Sequence, residues 1–147
     1  MGIISRFPAG ATKPYIEEIY NSDGQLIDAK MYGYDVIRVF AFANCTNLAL
    51  TSLPSGITNI GNYAFRNCSS LALTSLPSGI TNIGKSAFMG CSSLVSLTFE
   101  GTPEYIENSA FVDCDNLTTI NVPWAEGAVA NAPWGATNAT INYGYTG

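Results

Sequence analysis

The chain has 147 residues, a length that suits one domain with a core of useful size. Hydrophobic residues make up 47% and charged residues 12%, too apolar for a disordered chain, and no run approaches the roughly 20 apolar residues of a spanning helix. Histidine is absent, which removes Ser-His-Asp and Cys-His catalysis and any His-ligated metal, and the net charge of −5 disfavours phosphate-bearing partners.

The first predicted element is an extended arm, residues 1–14, in which Phe7-Pro8, Gly10 and Pro14 favour extended backbone. Ser5 and Arg6 interrupt the apolar start too early for a secretory signal. Arg6 also stands where a myristoylation signal wants Ser or Thr. With Met1 as the start, this reads as a chain folded in the cytosol without a signal peptide. Ile3, Ile4 and Phe7 are candidate anchors that dock the arm on a larger assembly, with a mobile tail as the alternative.

Residues 15–45 read as an N-terminal hairpin cap and a degenerate repeat. Tyr15-Ile16-Glu17-Glu18-Ile19-Tyr20 and Gln25-Leu26-Ile27-Asp28-Ala29-Lys30 flank the turn signal Asn21-Ser22-Asp23-Gly24. Residues 23–45 then align as a worn repeat, with Gly33, Ile37 and Phe42 in the registers of Gly56, Ile60 and Phe65.

Residues 46–122 carry the repeats themselves. Cys45, Cys68, Cys91 and Cys114 fall at a constant spacing of 23. The same period carries Ile37, Ile60, Ile83 and Ile106, then Phe42, Phe65, Phe88 and Phe111, then Leu48, Leu71, Leu94 and Leu117. A fixed period of this size is the signature of a solenoid, and these columns are its predicted core. Residues 46–68 and 69–91 agree at 17 of 23 positions, whereas 92–114 keep only the skeleton. Within a coil, Ile60-Gly61-Asn62-Tyr63-Ala64-Phe65-Arg66-Asn67-Cys68 predicts a short helical turn, with Ile60, Ala64, Phe65 and Cys68 inward. Leu71 opens an extended segment, clearest in Leu94-Val95-Ser96-Leu97-Thr98-Phe99, where Leu97 and Phe99 alternate with polar residues. The fold class is therefore a repeat solenoid of about four 23-residue coils, with short parallel strands stacked about 4.8 Å apart. Residues 123–147 read as a C-terminal cap that lays Trp124 and Trp134 over the last coil; an aromatic binding patch is the alternative.

The pattern Ile-Gly-x-x-Ala-Phe-x-x-Cys-x-x-Leu, in Ile60 to Leu71 and Ile83 to Leu94, resembles the BspA-like leucine-rich-repeat family. The resemblance covers about residues 33–123, and Arg38 and Glu107 depart from it at the glycine after isoleucine. It implies a leucine-rich-repeat solenoid without catalytic residues. It also implies an association with bacterial surface proteins, adhesion to host matrix proteins or other cells, and prophage-encoded proteins. The ending, Pro123-Trp124-Ala125-Glu126-Gly127 to Tyr143-Gly144-Tyr145-Thr146-Gly147, is similar to that of short members in gut bacteria and their phages.

The cysteines stand one per coil and lack the close pairs of a zinc site, so they read as a buried ladder of free, unmetallated thiols. Asn-x-Ser/Thr matches at Asn44, Asn67, Asn116 and Asn138 read as incidental to the repeat. Beyond Lys85 only acids follow, Glu100, Glu104, Glu107, Asp113, Asp115 and Glu126, which read as a solvated face with a weak cation site as the alternative. The expected function is a non-enzymatic binding module without cofactors, displayed as a phage virion appendage such as a head or tail fibre or decoration. The alternative is a bacterial cell-surface or secreted adhesin. The arm would hold a capsid, tail or other assembly partner, and the solenoid a surface protein or glycan. This reading includes no nucleic acid and no membrane insertion, and it allows a homo-oligomer. The expected place is the virion surface, with the bacterial cell surface as the alternative.

Overall fold

The computed structural model of the protein describes residues 4–6 and 14–147. They form a small antiparallel sheet followed by a solenoid of about five turns. The sheet holds β1 (Ile4–Arg6), β2 (Tyr15–Tyr20) and β3 (Leu26–Tyr32) in that order. Its tight turn is the predicted one. The Asn21 side-chain oxygen accepts from the amides of Asp23 and Gln25 at 3.0 and 2.9 Å, and Gly24 takes a φ of 79°. On β3, Ala29 and Met31 are buried and Lys30 between them is exposed, the alternation of a strand with one face on a core.

The arm predicted over residues 1–14 is not wholly separate from this cap. Residues 4–6 pair antiparallel with β2, Ile4 opposite Tyr20 and Arg6 opposite Glu18. An open hairpin edge offers backbone partners that an extended chain otherwise finds only in water. Of the candidate anchors, Ile3 and Phe7 lie outside the described residues, and Ile4 is described only as backbone in β1.

Along the rest of the chain follow β4 (Val36–Ile37), β5 (Asn59–Ile60), β6 (Ser75–Leu76), β7 (Asn82–Ile83), β8 (Ser96–Phe99), β9 (Tyr105–Ile106), β10 (Thr119–Asn121) and β11 (Thr140–Asn142). They build two parallel ladders, β4-β5-β7-β9 and β6-β8-β10-β11. Only the second lies in the segment where the alternating pattern predicted a strand. The first is carried by the isoleucine column, in exact register: Ile37 beside Ile60, Ile60 beside Ile83, Ile83 beside Ile106. β8 is the longest strand of the second ladder because Leu97 and Phe99 alternate. In the coil before it, the buried residues Leu73 and Leu76 are three apart, and only Ser75–Leu76 keeps strand geometry.

The predicted short helical turns are absent, and no helix occurs among the described residues. After Ile60 the amides take two directions in alternation. Those of Ala64, Arg66 and Cys68 donate to carbonyls three residues back, at 3.1–3.2 Å. Those of Tyr63, Phe65 and Asn67 donate to Lys85, Ala87 and Met89 of the next coil, at 2.7–2.9 Å. A helix would send every amide to its own chain. Here Tyr63 and Asn67 adopt φ of 59° and 58°, which breaks the helix and turns alternate amides toward the neighbouring coil. The left-handed position before each cysteine is filled by Asn44, Asn67, Gly90 and Asp113, the residue types that tolerate it. The Asn-Cys-Thr/Ser matches thus follow from backbone geometry.

The core is a set of columns. Phe42, Phe65, Phe88 and Phe111 stack with centroids 5.2–5.4 Å apart and rings within 14° of parallel. Ile37, Ile60, Ile83, Ile106, Leu48, Leu71, Leu94 and Leu117 are buried beside them. Of the predicted core residues, only Cys45 is half-buried. It belongs to the first coil, where the hairpin covers one side alone.

Glycine after isoleucine serves close coil approach. A Cβ on Gly84 would fall 2.8 Å from the Asn62 amide nitrogen and 2.9 Å from the Gly61 carbonyl carbon. Gly84→Ala is therefore expected to cost about 1–3 kcal/mol, as overpacking does, and to lower the urea midpoint without changing the slope of the transition. Arg38 occupies this register in the first coil, which has no coil beneath it.

The repeat does not end at Pro123 with a separate cap over residues 123–147. The chain continues into another coil, and β11 joins β10 in parallel, Ile120 beside Ile141. Trp134 is fully buried, and its carbonyl accepts from the Phe111 amide at 2.9 Å. The last coil is recognisable only in three dimensions, because Trp134 and Thr137 stand 23 residues after Phe111 and Cys114, and the β10–β11 offset is 21. Trp124 and Trp134 pack edge to face at 6.1 Å, and Phe99 meets Trp124 at 5.3 Å. Both indoles are core, so the exposed aromatic patch predicted as their alternative does not exist.

Candidate functional site

The thiols are the most reactive groups by type, and the fold silences them. Cys68, Cys91 and Cys114 are buried, and each thiol reaches the carbonyl of a phenylalanine in the preceding coil: Phe42 at 3.0 Å, Phe65 at 3.1 Å and Phe88 at 2.9 Å. Each of those carbonyls also accepts the amide of its own coil's cysteine, at 3.1–3.2 Å. The column therefore needs a small side chain with a weak donor, which alanine lacks. Burial pushes the Cys68 and Cys114 thiols up to about 12 and raises Cys91 as well, so all three stay protonated. Cys45 is raised too, by burial first and the Glu18 charge second. A nucleophilic cysteine needs the opposite shift.

The acids do not assemble into a site. Glu100, Glu104, Asp113, Asp115 and Glu126 are exposed. Tyr105 donates to the Glu107 carboxylate at 2.9 Å, and that hydrogen bond raises the phenol above its ordinary value. Among the described residues no group of three acids, cysteines or histidines is placed to hold a metal ion.

The surface is least ordinary at the first coil. Val36, Val39 and Phe40 are 38%, 56% and 51% exposed, which places three apolar side chains together in water. The same registers in the next two coils hold Asn59 and Asn82, Asn62 and Lys85, Tyr63 and Ser86. The Phe40 ring stacks on Tyr63 at 4.9 Å and 5°, and the Arg66 guanidinium lies 6.0 Å from the Tyr63 ring centre. Phe40 and Tyr63 both sit at a φ of 59°, a conformation that bulky side chains avoid and that Ser86 fills in the third coil. Beside them a cleft of about 640 Å³ opens between hairpin and first coil, lined by Ile16, Leu26, Met31, Val36, Val39 and Phe42 among others. None of these surface residues was singled out from the sequence. The signal was present as three apolar residues in columns whose other members are Asn59, Asn82 and Tyr105, then Asn62, Lys85 and Asn108, then Tyr63, Ser86 and Ser109.

A family model described as the BspA-type leucine-rich-repeat region matches residues 27–129 in six copies. No curated protein matches the chain. Among solved structures, a leucine-rich cell surface protein of Faecalibacterium prausnitzii A2-165 is similar at 24% identity and a TM-score of 0.53, over 92% of this chain and 44% of that one. A leucine-rich-repeat protein of Bacteroides ovatus ATCC 8483 is similar at 20% identity and a TM-score of 0.35, over 82% of this chain and 46% of that one. The chain thus spans less than half the length of either structure.

Proposed function

The chain belongs to the BspA-type leucine-rich-repeat family, and from that premise we propose that it is a non-catalytic adhesion module that holds a protein partner on its first two coils. The observation that carries this is the exposed cluster of Val36, Val39 and Phe40 with Tyr63 stacked behind it. Exposed aromatic and aliphatic side chains on a rigid frame lose little freedom on binding, and such clusters mark interfaces. The frame is rigid because each coil is tied to its neighbours by backbone hydrogen bonds on two ladders and on the turns between them.

Display on a bacterial surface is the setting favoured by the likeness in fold to a cell surface protein of Faecalibacterium prausnitzii. Display on a phage virion, as a head or tail fibre or decoration, rests on the family resemblance, and co-purification with intact particles is the result that would support it.

The binding test uses immobilised full-length protein against a panel of host matrix proteins and whole bacterial cells. A Val39→Ser, Phe40→Ser double variant is expected to lose at least about tenfold in affinity, the loss that follows from removing two exposed anchors at an interface. Its melting temperature should stay near that of the parent, because neither side chain is buried. Unchanged binding by a folded double variant would place the contact elsewhere on the solenoid.

A further inference from the structure

Among the described residues the first ladder ends on β4 at its N-terminal side. In the second, third and fourth coils three amides donate downward to the coil before, the first of each set being Thr58, Thr81 and Glu104, which donate to Asp35, Thr58 and Thr81 at 2.7, 2.7 and 2.8 Å. Asn59 and Gly61 donate to Asp35 and Ile37 at 3.3 and 2.7 Å. Asn82 and Gly84 donate to Thr58 and Ile60 at 3.4 and 2.8 Å, and Tyr105 and Glu107 to Thr81 and Ile83 at 3.1 and 3.0 Å. The same three positions in the first coil are Asp35, Val36 and Arg38, and their amides have no backbone acceptor among the described residues. The turn repeats the pattern with the opposite sign. The carbonyls of Asn62, Ala64 and Arg66 accept from Phe40, Phe42 and Asn44 of the coil below, at 2.7–3.0 Å. Their first-coil counterparts, Val39, Ala41 and Ala43, receive no donor among the described residues.

The described strands of the cap cover the other half. β3 meets the first coil through the Ala49 amide, which donates to Ile27 at 2.8 Å on the side of the second ladder. The opposite end of the solenoid is closed differently. There Asn131 donates its side-chain amide to the Ile106 carbonyl at 3.2 Å, and exposed Pro133 presents no donor. One end is thus blunted, and the other offers, among the described residues, a row of donors and acceptors next to exposed Val36 and the 640 Å³ cleft.

From this pattern we propose that β4 is a docking edge that takes an extended polypeptide partner bearing apolar side chains at alternate positions. The strand bonds to the Val36 and Arg38 amides. Its inward side chains fill the cleft between hairpin and first coil. An open strand edge is satisfied by another strand, because only a strand repeats its backbone groups at that spacing. The cleft, which Glu18 and Arg38 line together with the apolar side chains, accepts one side chain from each second residue. The proposal rests on the reading of the first coil as the binding surface and supplies its mode.

The test starts from a library of random octapeptides selected against the immobilised full-length protein, with the enriched peptides synthesised and titrated calorimetrically. The expected peptides alternate apolar and polar residues. Val36→Pro removes one edge amide that the described fold does not use, so it should leave the melting temperature near that of the parent. It should also weaken the peptides by about tenfold or more, and by clearly more than Val36→Thr, which alters the same side chain but keeps the amide. Peptides without alternation, or peptides that bind Val36→Pro as well as the parent, would overturn the proposal. So would slow hydrogen exchange at the Val36 amide in the free monomer, which would mean that the chain's own residues already occupy the edge. A dimer that Val36→Pro dissolves would assign the edge to a second copy and overturn it too. If the Val39→Ser, Phe40→Ser pair abolishes adhesion while Val36→Pro does not, the surface reading stands and the strand mode falls. If Val36→Pro releases the peptides but the pair leaves adhesion unchanged, the reverse holds.

Discussion

Phe88→Ala is expected to destabilise the protein by about 3–5 kcal/mol, the range for deleting a buried aromatic ring. Phe88 is fully buried and stacked on both faces, on Phe65 at 5.4 Å and on Phe111 at 5.2 Å. Truncation therefore removes a transfer contribution and two ring contacts, and it leaves a cavity in the middle of a column. The neighbours cannot collapse into that cavity. Their backbones are pinned by the amides of Phe65 and Phe88, which donate to Ala87 and Ala110 at 2.8 Å. Total stability of a domain this size is about 5–15 kcal/mol, so one such loss is a large share of it. Urea unfolding measures it directly. Phe42→Ala is the internal comparison: among the described residues Phe42 stacks on one ring, that of Phe65, and it lies in the first coil, so its loss should cost less. Equal costs at the two positions would mean that stacking within the column contributes little.

The column itself was fully legible in the sequence, since a period of 23 fixes which residues lie over which. Spacing alone did not show what each segment does between columns. Ile60, Ala64, Phe65 and Cys68 satisfy helical spacing, yet their inward direction comes from a run of turns with φ of 59° at Tyr63 and 58° at Asn67. Both geometries put the same residues inside, so hydrophobic periodicity cannot separate them. The informative residues were the polar ones: Asn44, Asn67, Gly90 and Asp113 form a column of types that accept left-handed backbone. The last coil escaped for a different reason. Trp134 is a larger ring than phenylalanine, and the coil around it changes length and residue type together. The candidate surface was legible in principle, as Val36, Val39 and Phe40 stand in mostly polar columns. A search for what recurs passes over what fails to recur, and binding residues belong to the second kind.

Raising the pH above about 9 is expected to unfold this protein far more steeply than its size suggests, and the cysteine column is the cause. Burial pushes Cys68 and Cys114 up to about 12 and raises Cys91 also, each from an ordinary value of 9.0. In this range the unfolded chain has released its thiol protons and the folded chain has not. The unfolded state therefore binds fewer protons, and stability falls as pH rises. The contribution is complete below the unfolded thiol value and is lost progressively above it, up to the folded values. Each thiol contributes a slope of about 1.4 kcal/mol per pH unit, so three approach about 4 kcal/mol per unit. Over the window up to the folded values this slope removes a large share of a total stability of about 5–15 kcal/mol. Urea midpoints taken at half-unit intervals from pH 7 to 11 give the slope. The triple variant Cys68→Ala, Cys91→Ala, Cys114→Ala is less stable at neutral pH, since each carbonyl partner loses its thiol donor. Its dependence on pH should nevertheless be much flatter, because it lacks the three buried thiols that carry the slope. Thiol labelling at neutral pH reads the same burial kinetically: Cys45 should react first, and the other three only as fast as the chain opens. Parallel pH slopes for the parent and the triple variant would show that the thiols are not held protonated in a dry column.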